Sequence, residues 1–282
     1  MKTPMERILV PLDGSPQADA ALDAIGPLLK MQQPEVILLG VMDEEEFNYK
    51  LRTHLEYTCD SLRSECVDAS VAIREGKAAP QILDFARERG VDLIAMSTHG
   101  RGGLARVFVG SVTEEVLRHA DAPLLVCRPG AAAGDWNRIL VALDGSEKAE
   151  EILPDAVWIA RTQKAAVDLV RVAIPVVTSG GVGEFPLVFP SEDPKPYLRA
   201  VSGRLLAEGV DARVVGLEGR AALEILNHAK ENHAGLICMT THGRSGVARV
   251  LLGSIAEEVL RHAPCPVFLR RMAGAPKAAV KT

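Results

Sequence analysis

The sequence predicts an α/β architecture: two doubly wound domains in tandem, each an open parallel sheet with helices on both faces. An internal repeat is the first observation. RILVPLDGS at 7–15 returns as RILVALDGS at 138–146, an offset of 131, and THGRGGLARVFVGS at 98–111 returns as THGRSGVARVLLGS at 241–254, an offset of 143. Residues 98–120 and 241–263 differ at only 6 of 23 positions, which chance does not produce. The second observation is a set of short Val, Ile and Leu runs without in-out alternation, the mark of strands buried on both faces. Third, these runs alternate with helical segments, as parallel strands require, because each return needs a right-handed crossover.

In the first copy the strand runs are RILVPLD, EVILLGV, a short SVAIR, VDLIAMS and PLLVCR. Between them lie the helical segments SPQADAALDAIGPLLK, a long stretch around FNYKLRTHLEYTCDSLRSEC, PQILDFARERG and SVTEEVLRHA. The second copy repeats this plan with two differences. Pro154 falls inside its first helix, SEKAEEILPDAVWIA, and predicts a late start or a kink there, since proline lacks the N–H and crowds the preceding turn. The unequal offsets make the second copy 12 residues longer, and AIPVVTSGGVGEFPLVFPSEDPKP at 173–196 takes up the excess. Its prolines and glycines predict no regular element. PGAAAGD at 129–135 reads as a flexible linker. The expected division is a first domain at 1–129, a linker at 130–136, a second domain at 137–271 and a frayed basic tail at 272–282.

Composition narrows the function classes. At 282 residues with 48% apolar and 24% charged content, the chain is long enough for two domains of about 140 residues. A formal net charge of -5 supplies no broad basic surface for nucleic acid. Cys59, Cys66, Cys127, Cys238 and Cys265 form no C-x-x-C pair, and an odd count suits neither a disulfide framework nor a zinc site. They read as reduced thiols, with packing the expected role of Cys127, Cys238 and Cys265. MKTPMERILVPLDGS enters a strand without a leader pattern, and no run of about 18 apolar residues predicts a membrane span. A cytoplasmic location is the expectation. The chain contains no G-x-x-x-x-G-K-[ST], G-x-G-x-x-G or G-x-S-x-G, against a P-loop NTPase, a dinucleotide dehydrogenase and an α/β-hydrolase.

In an open α/β sheet, ligands collect outside the carboxyl ends of the strands, where strand order reverses. Asp13-Gly14-Ser15 follows the first strand, and Ser97-Thr98-His99-Gly100 follows the fourth. Gly110-Ser111 then opens a helix whose unpaired N–H groups and dipole suit an anion. The spacing Gly-x9-Gly-Ser recurs in both copies with Arg101, Arg106, Arg244 and Arg249. A structural reading stands beside this one. Ser111 with Glu114, and Ser254 with Glu257, match the S-x-x-E capping box, and Gly100 and Gly243 suit ordinary turns. His99 and His242 lie within the loop, where phosphate contact and a turn-stabilising bond are both open. His119 and His262 fall at helix C-termini and complement the dipole. His228 and His233 are five apart, off the i, i+4 face of helical metal pairs.

The strand-end DGS, the MSTHG exit and the Gly-x9-Gly-Ser loop before a helix together resemble the universal stress protein (UspA) family, over nearly the whole chain. The resemblance implies an adenine nucleotide α-hydrolase-like fold with a five-stranded parallel sheet in each domain. It also implies ATP, with or without magnesium, and pairing of domains through their last strands. ATP-binding members carry Gly-x2-Gly-x9-Gly followed by Ser or Thr. The matching positions here are Ser97, Gly100, Gly110 and Ser111, then Thr240, Gly243, Gly253 and Ser254, so both copies depart at the first glycine. Adenine and ribose contacts fall by matching on Pro11, Asp13, Val41 and Met96, and on Ala142, Asp144, Val172 and Met239, with Val112 and Ile255 following the serines. Asp13 and Asp144 are candidates for magnesium, with helix capping as their alternative role. The leading functional expectation is an ATP-binding stress or regulatory protein with slow hydrolysis at most. A nucleotide-free scaffold and an adenylating enzyme are the alternatives. The resemblance further implies an intramolecular pseudo-dimer, with a homodimer as an added option.

Overall fold

Consecutive apolar residues fill the central strands because helices cover both sides of the sheet: Ile8, Leu9 and Val10 are all fully buried. The computed structural model describes residues 5–42, 49–98, 109–131, 134–178, 187–189, 192–241 and 252–271. The first half runs β1 (Arg7–Pro11), α1 (Pro16–Gln32), β2 (Glu35–Met42), α2 (Tyr49–Ser64), β3 (Ala69–Glu75), α3 (Ala78–Glu88), β4 (Leu93–Ser97), α4 (Ser111–His119) and β5 (Leu124–Cys127). The second half opens with β6 (Arg138–Ala142), α5 (Glu147–Glu150), α6 (Leu153–Gln163), β7 (Ala166–Ala173), β8 (Val176–Thr178) and β9 (Leu187–Phe189). It continues with α7 (Lys195–Ala207), β10 (Ala212–Glu218), α8 (Ala221–Glu231), β11 (Leu236–Thr240), α9 (Ser254–His262) and β12 (Val267–Arg270).

All strands except β8 and β9 form one ten-stranded sheet in the order β10-β7-β6-β11-β12-β5-β4-β1-β2-β3. Pairing within each half is parallel. At the junction β12 runs antiparallel to β5, with Phe268 opposite Leu125. The strand order reverses between β1 and β4 and again between β6 and β11, the crevices where an open sheet takes ligands. Because the junction is antiparallel, these two crevices open at opposite ends of the sheet. One apolar cluster packs α1, α2, α6 and α7 against one face. A second packs α3, α4, α8 and α9 against the other.

Pro154 acts as expected: α5 ends at Glu150 and a separate helix, α6, starts at Leu153 with Pro154 in its first turn. The insertion departs from expectation. Residues 176–178 and 187–189 pair as an antiparallel two-stranded sheet, Val177 opposite Val188. The β-branched and aromatic residues of these two stretches, Val176, Val177, Thr178, Val188 and Phe189, outweigh the turn-forming composition of the segment. Cys127, Cys238 and Cys265 are buried, and burial pushes the Cys127 and Cys265 thiols up to about 12. Trp136, 1% exposed, enters the same core as β6. A Cβ at Gly235 would sit 2.5 Å from the Asp135 carbonyl oxygen, so only glycine lets the chain pass there. Among the described residues, no helix is long and apolar enough to cross a membrane.

Candidate functional site

Each crevice is walled by two strand-end loops and a helix N-terminus. Beyond β1, the Leu12 N–H donates to the Leu39 carbonyl at 2.9 Å, prolonging the sheet by one residue. The chain then turns through Gly14 at φ +78°, a conformation costly for any residue with a Cβ. Asp13 holds this turn, its Oδ1 accepting from the Ser15 N–H at 2.9 Å and the Ser15 hydroxyl at 2.6 Å. The second half reproduces it: Gly145 has φ +90°, and Asp144 Oδ1 accepts from the Ser146 N–H at 2.9 Å and hydroxyl at 2.7 Å. The helix caps are Ser15 and Ser146, which accept from the Ala18 and Ala149 N–H groups. Asp13 and Asp144 are therefore not the caps; each sits two residues earlier and shapes the loop instead.

At the other wall, Thr98 N–H donates to the Cys127 carbonyl at 2.8 Å, and the Thr98 carbonyl accepts from the Gly110 N–H at 2.7 Å. The counterparts are Thr241 to Arg270 at 3.0 Å and Gly253 to Thr241 at 2.8 Å. Both loops are thus closed at the root. Gly100, Gly243, His99, His242, Arg101, Arg106, Arg244 and Arg249 lie outside the described residues.

Gly110 and Gly253 are the N-caps of α4 and α9, at φ −53° and −64°. Any residue adopts those angles, so what glycine supplies here is room beside the helix N-terminus. The capping-box expectation fails: Ser111 and Ser254 are exposed first residues of their helices, and neither cap carries a side-chain hydrogen bond. Glu114 and Glu257 pair instead with Arg118 and Arg261, one turn further on. Among the described residues no side chain caps the first N–H groups of either helix, the setting in which anions bind.

The apolar candidates gather on one face. Met96, Ala142 and Met239 are buried in the cluster beneath α3, α4, α8 and α9, and Val41, Val112, Val172 and Ile255 pack half-buried against it. Pro11 lies half-buried at the end of β1. Ser97 and Thr240 are 7% and 5% exposed. Strand alternation directs them to the face opposite Met96 and Met239, so a side chain in place of the family's first glycine does not fill the apolar wall.

Three features escaped the sequence reading. Thr113, 4% exposed, donates its hydroxyl to the Ser97 carbonyl at 2.8 Å. Asp155, fully buried, forms an ion pair with the part-buried Arg270. Asp168 is bound by Arg138, Arg213 and His228, which gives His228 a structural partner. None has local spacing that would reveal it. Among the described residues, no cluster of three His, Cys, Asp or Glu could hold a metal.

Together these features define a tandem doubly wound α/β protein whose strand-end loops and open helix N-termini converge twice. The universal stress protein family model matches residues 5–128 and 135–271, and the chain belongs to that family. It is 26% identical over 293 aligned positions to a universal stress protein of Mycolicibacterium smegmatis, covering 94% of this chain and 96% of that protein. Universal stress protein YxiE of Bacillus subtilis is 33% identical over 147 positions, 48% of this chain and 99% of the relative. A crystal structure of a universal stress protein from Archaeoglobus fulgidus superposes with a TM-score of 0.77 at 22% identity, covering 95% of this chain and 99% of that one, a likeness of fold.

Proposed function

We propose that the chain is an ATP-binding stress-response or regulatory protein, holding adenine nucleotide at the carboxyl ends of β1 and β4 and of β6 and β11. The observation that carries this reading is the uncapped, glycine-fronted start of α4 and α9, set beside an Asp-Gly-Ser turn and a half-covered apolar wall in both halves. Phosphates would lie against Gly100, Gly110, Ser111 and Val112, and against Gly243, Gly253, Ser254 and Ile255. The adenosine would rest on Pro11, Asp13, Val41 and Met96, and on Ala142, Asp144, Val172 and Met239, with Ser97 and Thr240 contributing backbone at the strand ends. A magnesium ion on the phosphates would take its protein oxygen from Asp13 or Asp144, a hard ligand for a hard cation. Turnover would be slow at most, so the chain would act by binding, and its expected location is the cytoplasm. Its domains would be 1–129 and 137–271 about a linker at 130–136, with β3 and β10 the edges open to a homodimer.

Heat-denatured extracts of the purified protein, resolved by ion exchange with mass identification, should release about one to two equivalents of adenine nucleotide per chain. Added ATP at a hundred times its Kd should stabilise the fold by about 2.7 kcal/mol per site. Gly110→Val with Gly253→Val should abolish both effects, since at these φ values valine fills space without backbone strain. A nucleotide-free protein whose melting temperature ignores ATP would replace this reading with the scaffold.

A further inference from the structure

The two halves close their loops alike and then part at one buried position. The Gly110–Thr98 and Gly253–Thr241 backbone bonds are shared, at 2.7 and 2.8 Å. At this position the first half has a side-chain tie: Thr113, in the first turn of α4, donates its hydroxyl to the carbonyl of Ser97, the last residue of β4. Its counterpart in α9 is Ala256, 2% exposed and without a hydroxyl. The tie joins the strand end to the turn whose N–H groups face the crevice, so it fixes the width of the gap between them. Two neighbouring differences act in the same direction. Pro11 stiffens the exit of β1 where β6 ends in Ala142. Behind that exit, α1 runs unbroken for 17 residues while α5 stops after 4.

We infer that the two sites are ranked, the first-half site binding nucleotide more tightly, and that Thr113 is the positioning residue that sets the rank. This rests on the nucleotide reading of the site. A gap held at its bound width loses less conformational freedom when ligand enters, so more of the contact energy appears as affinity. Two unequal sites fill in sequence, and the chain then responds to nucleotide supply over a wider concentration range than one site spans.

The test is ATP titration calorimetry on the full chain, with Gly253→Val to isolate the first site and Gly110→Val to isolate the second. The first site should be the tighter. In the Gly253→Val background, Thr113→Val keeps the shape, removes the donor and should weaken binding about tenfold, the scale of one buried hydrogen bond. Thr113→Ser keeps the donor, loses the methyl and should retain the affinity. A packing role would reverse that order and overturn the inference. Ala256→Thr in the Gly110→Val background should tighten the second site. Equal affinities of the two sites, or an unchanged first site in Thr113→Val, would overturn the ranking while leaving nucleotide binding intact. Failure of the unaltered chain to bind any ATP would instead overturn the nucleotide reading, and the ranking with it.

Discussion

Asp168, 1% exposed, stands on β7 where the first half has Ile37. A carboxylate survives there because every oxygen is answered. Oδ1 accepts from Arg138 Nη1 at 3.1 Å and Arg213 Nε at 2.8 Å, and Oδ2 accepts from Arg213 Nη2 at 2.7 Å. His228 Nε2 adds a bond to Oδ2 at 3.0 Å. Asn232 fixes this tautomer by donating toward His228 Nδ1 at 3.2 Å. Burial pushes the Asp168 carboxyl up, but the Arg213 and His228 hydrogen bonds and the charges of Arg213 and Arg138 outweigh it and hold it below the usual range. A depressed carboxyl stabilises the fold above its unfolded pKa, about 3.9, and that contribution is lost as pH falls through the lower folded value. Asp168→Asn should therefore cost about 2 kcal/mol at neutral pH. In urea unfolding, the gap between the two proteins should narrow below about pH 4. A gap constant down to pH 2.5 would contradict this account.

At the scale of elements, the two halves differ most in the helix after the first strand and in its contact with the last. Asp155 of α6 and Arg270 of β12 pair where the repeat has Ala24 and Cys127 in the first half. Asp155 is fully buried, so removing Arg270 takes a cationic partner from a carboxylate held away from water. Arg270→Cys should cost about 3–5 kcal/mol. The double variant Asp155→Ala with Arg270→Cys restores the first half's chemistry and should be more stable than Arg270→Cys alone. Guanidinium unfolding of the two single variants and the double variant measures that coupling; additive losses would mean the pair is not the unit it looks to be.

Across the whole molecule, the β5–β12 seam makes two halves into one sheet. Leu125 and Phe268 face each other fully buried across it, Gln163 donates to the Pro27 carbonyl at 2.9 Å, and Lys30 pairs with Asp135. A chain cut to residues 1–129 would expose the β5 edge, a template for another strand. It should dimerise at micromolar concentration through antiparallel β5 pairing, seen as doubled mass in light scattering. A monomer at those concentrations would mean the seam is held by contacts other than the strand edge. The antiparallel seam also places the two candidate sites at opposite ends, so coupling between them has to cross the sheet.

What the sequence alone determined was periodic and repeated: the strands, their helices, the tandem plan, the Pro154 break and the placing of Asp13, Gly110 and their counterparts at strand and helix ends. These depend on neighbours a few residues apart, where hydrophobic spacing and glycine or proline chemistry act directly. Tertiary structure decided the rest. That Ser111 is not a cap, that Thr113 ties a strand to a helix, and that Asp155 meets Arg270 all depend on groups brought together by packing. A hydrogen bond between residues 16 or 115 positions apart leaves no periodic trace in the chain, because only the folded core sets which donor reaches which acceptor.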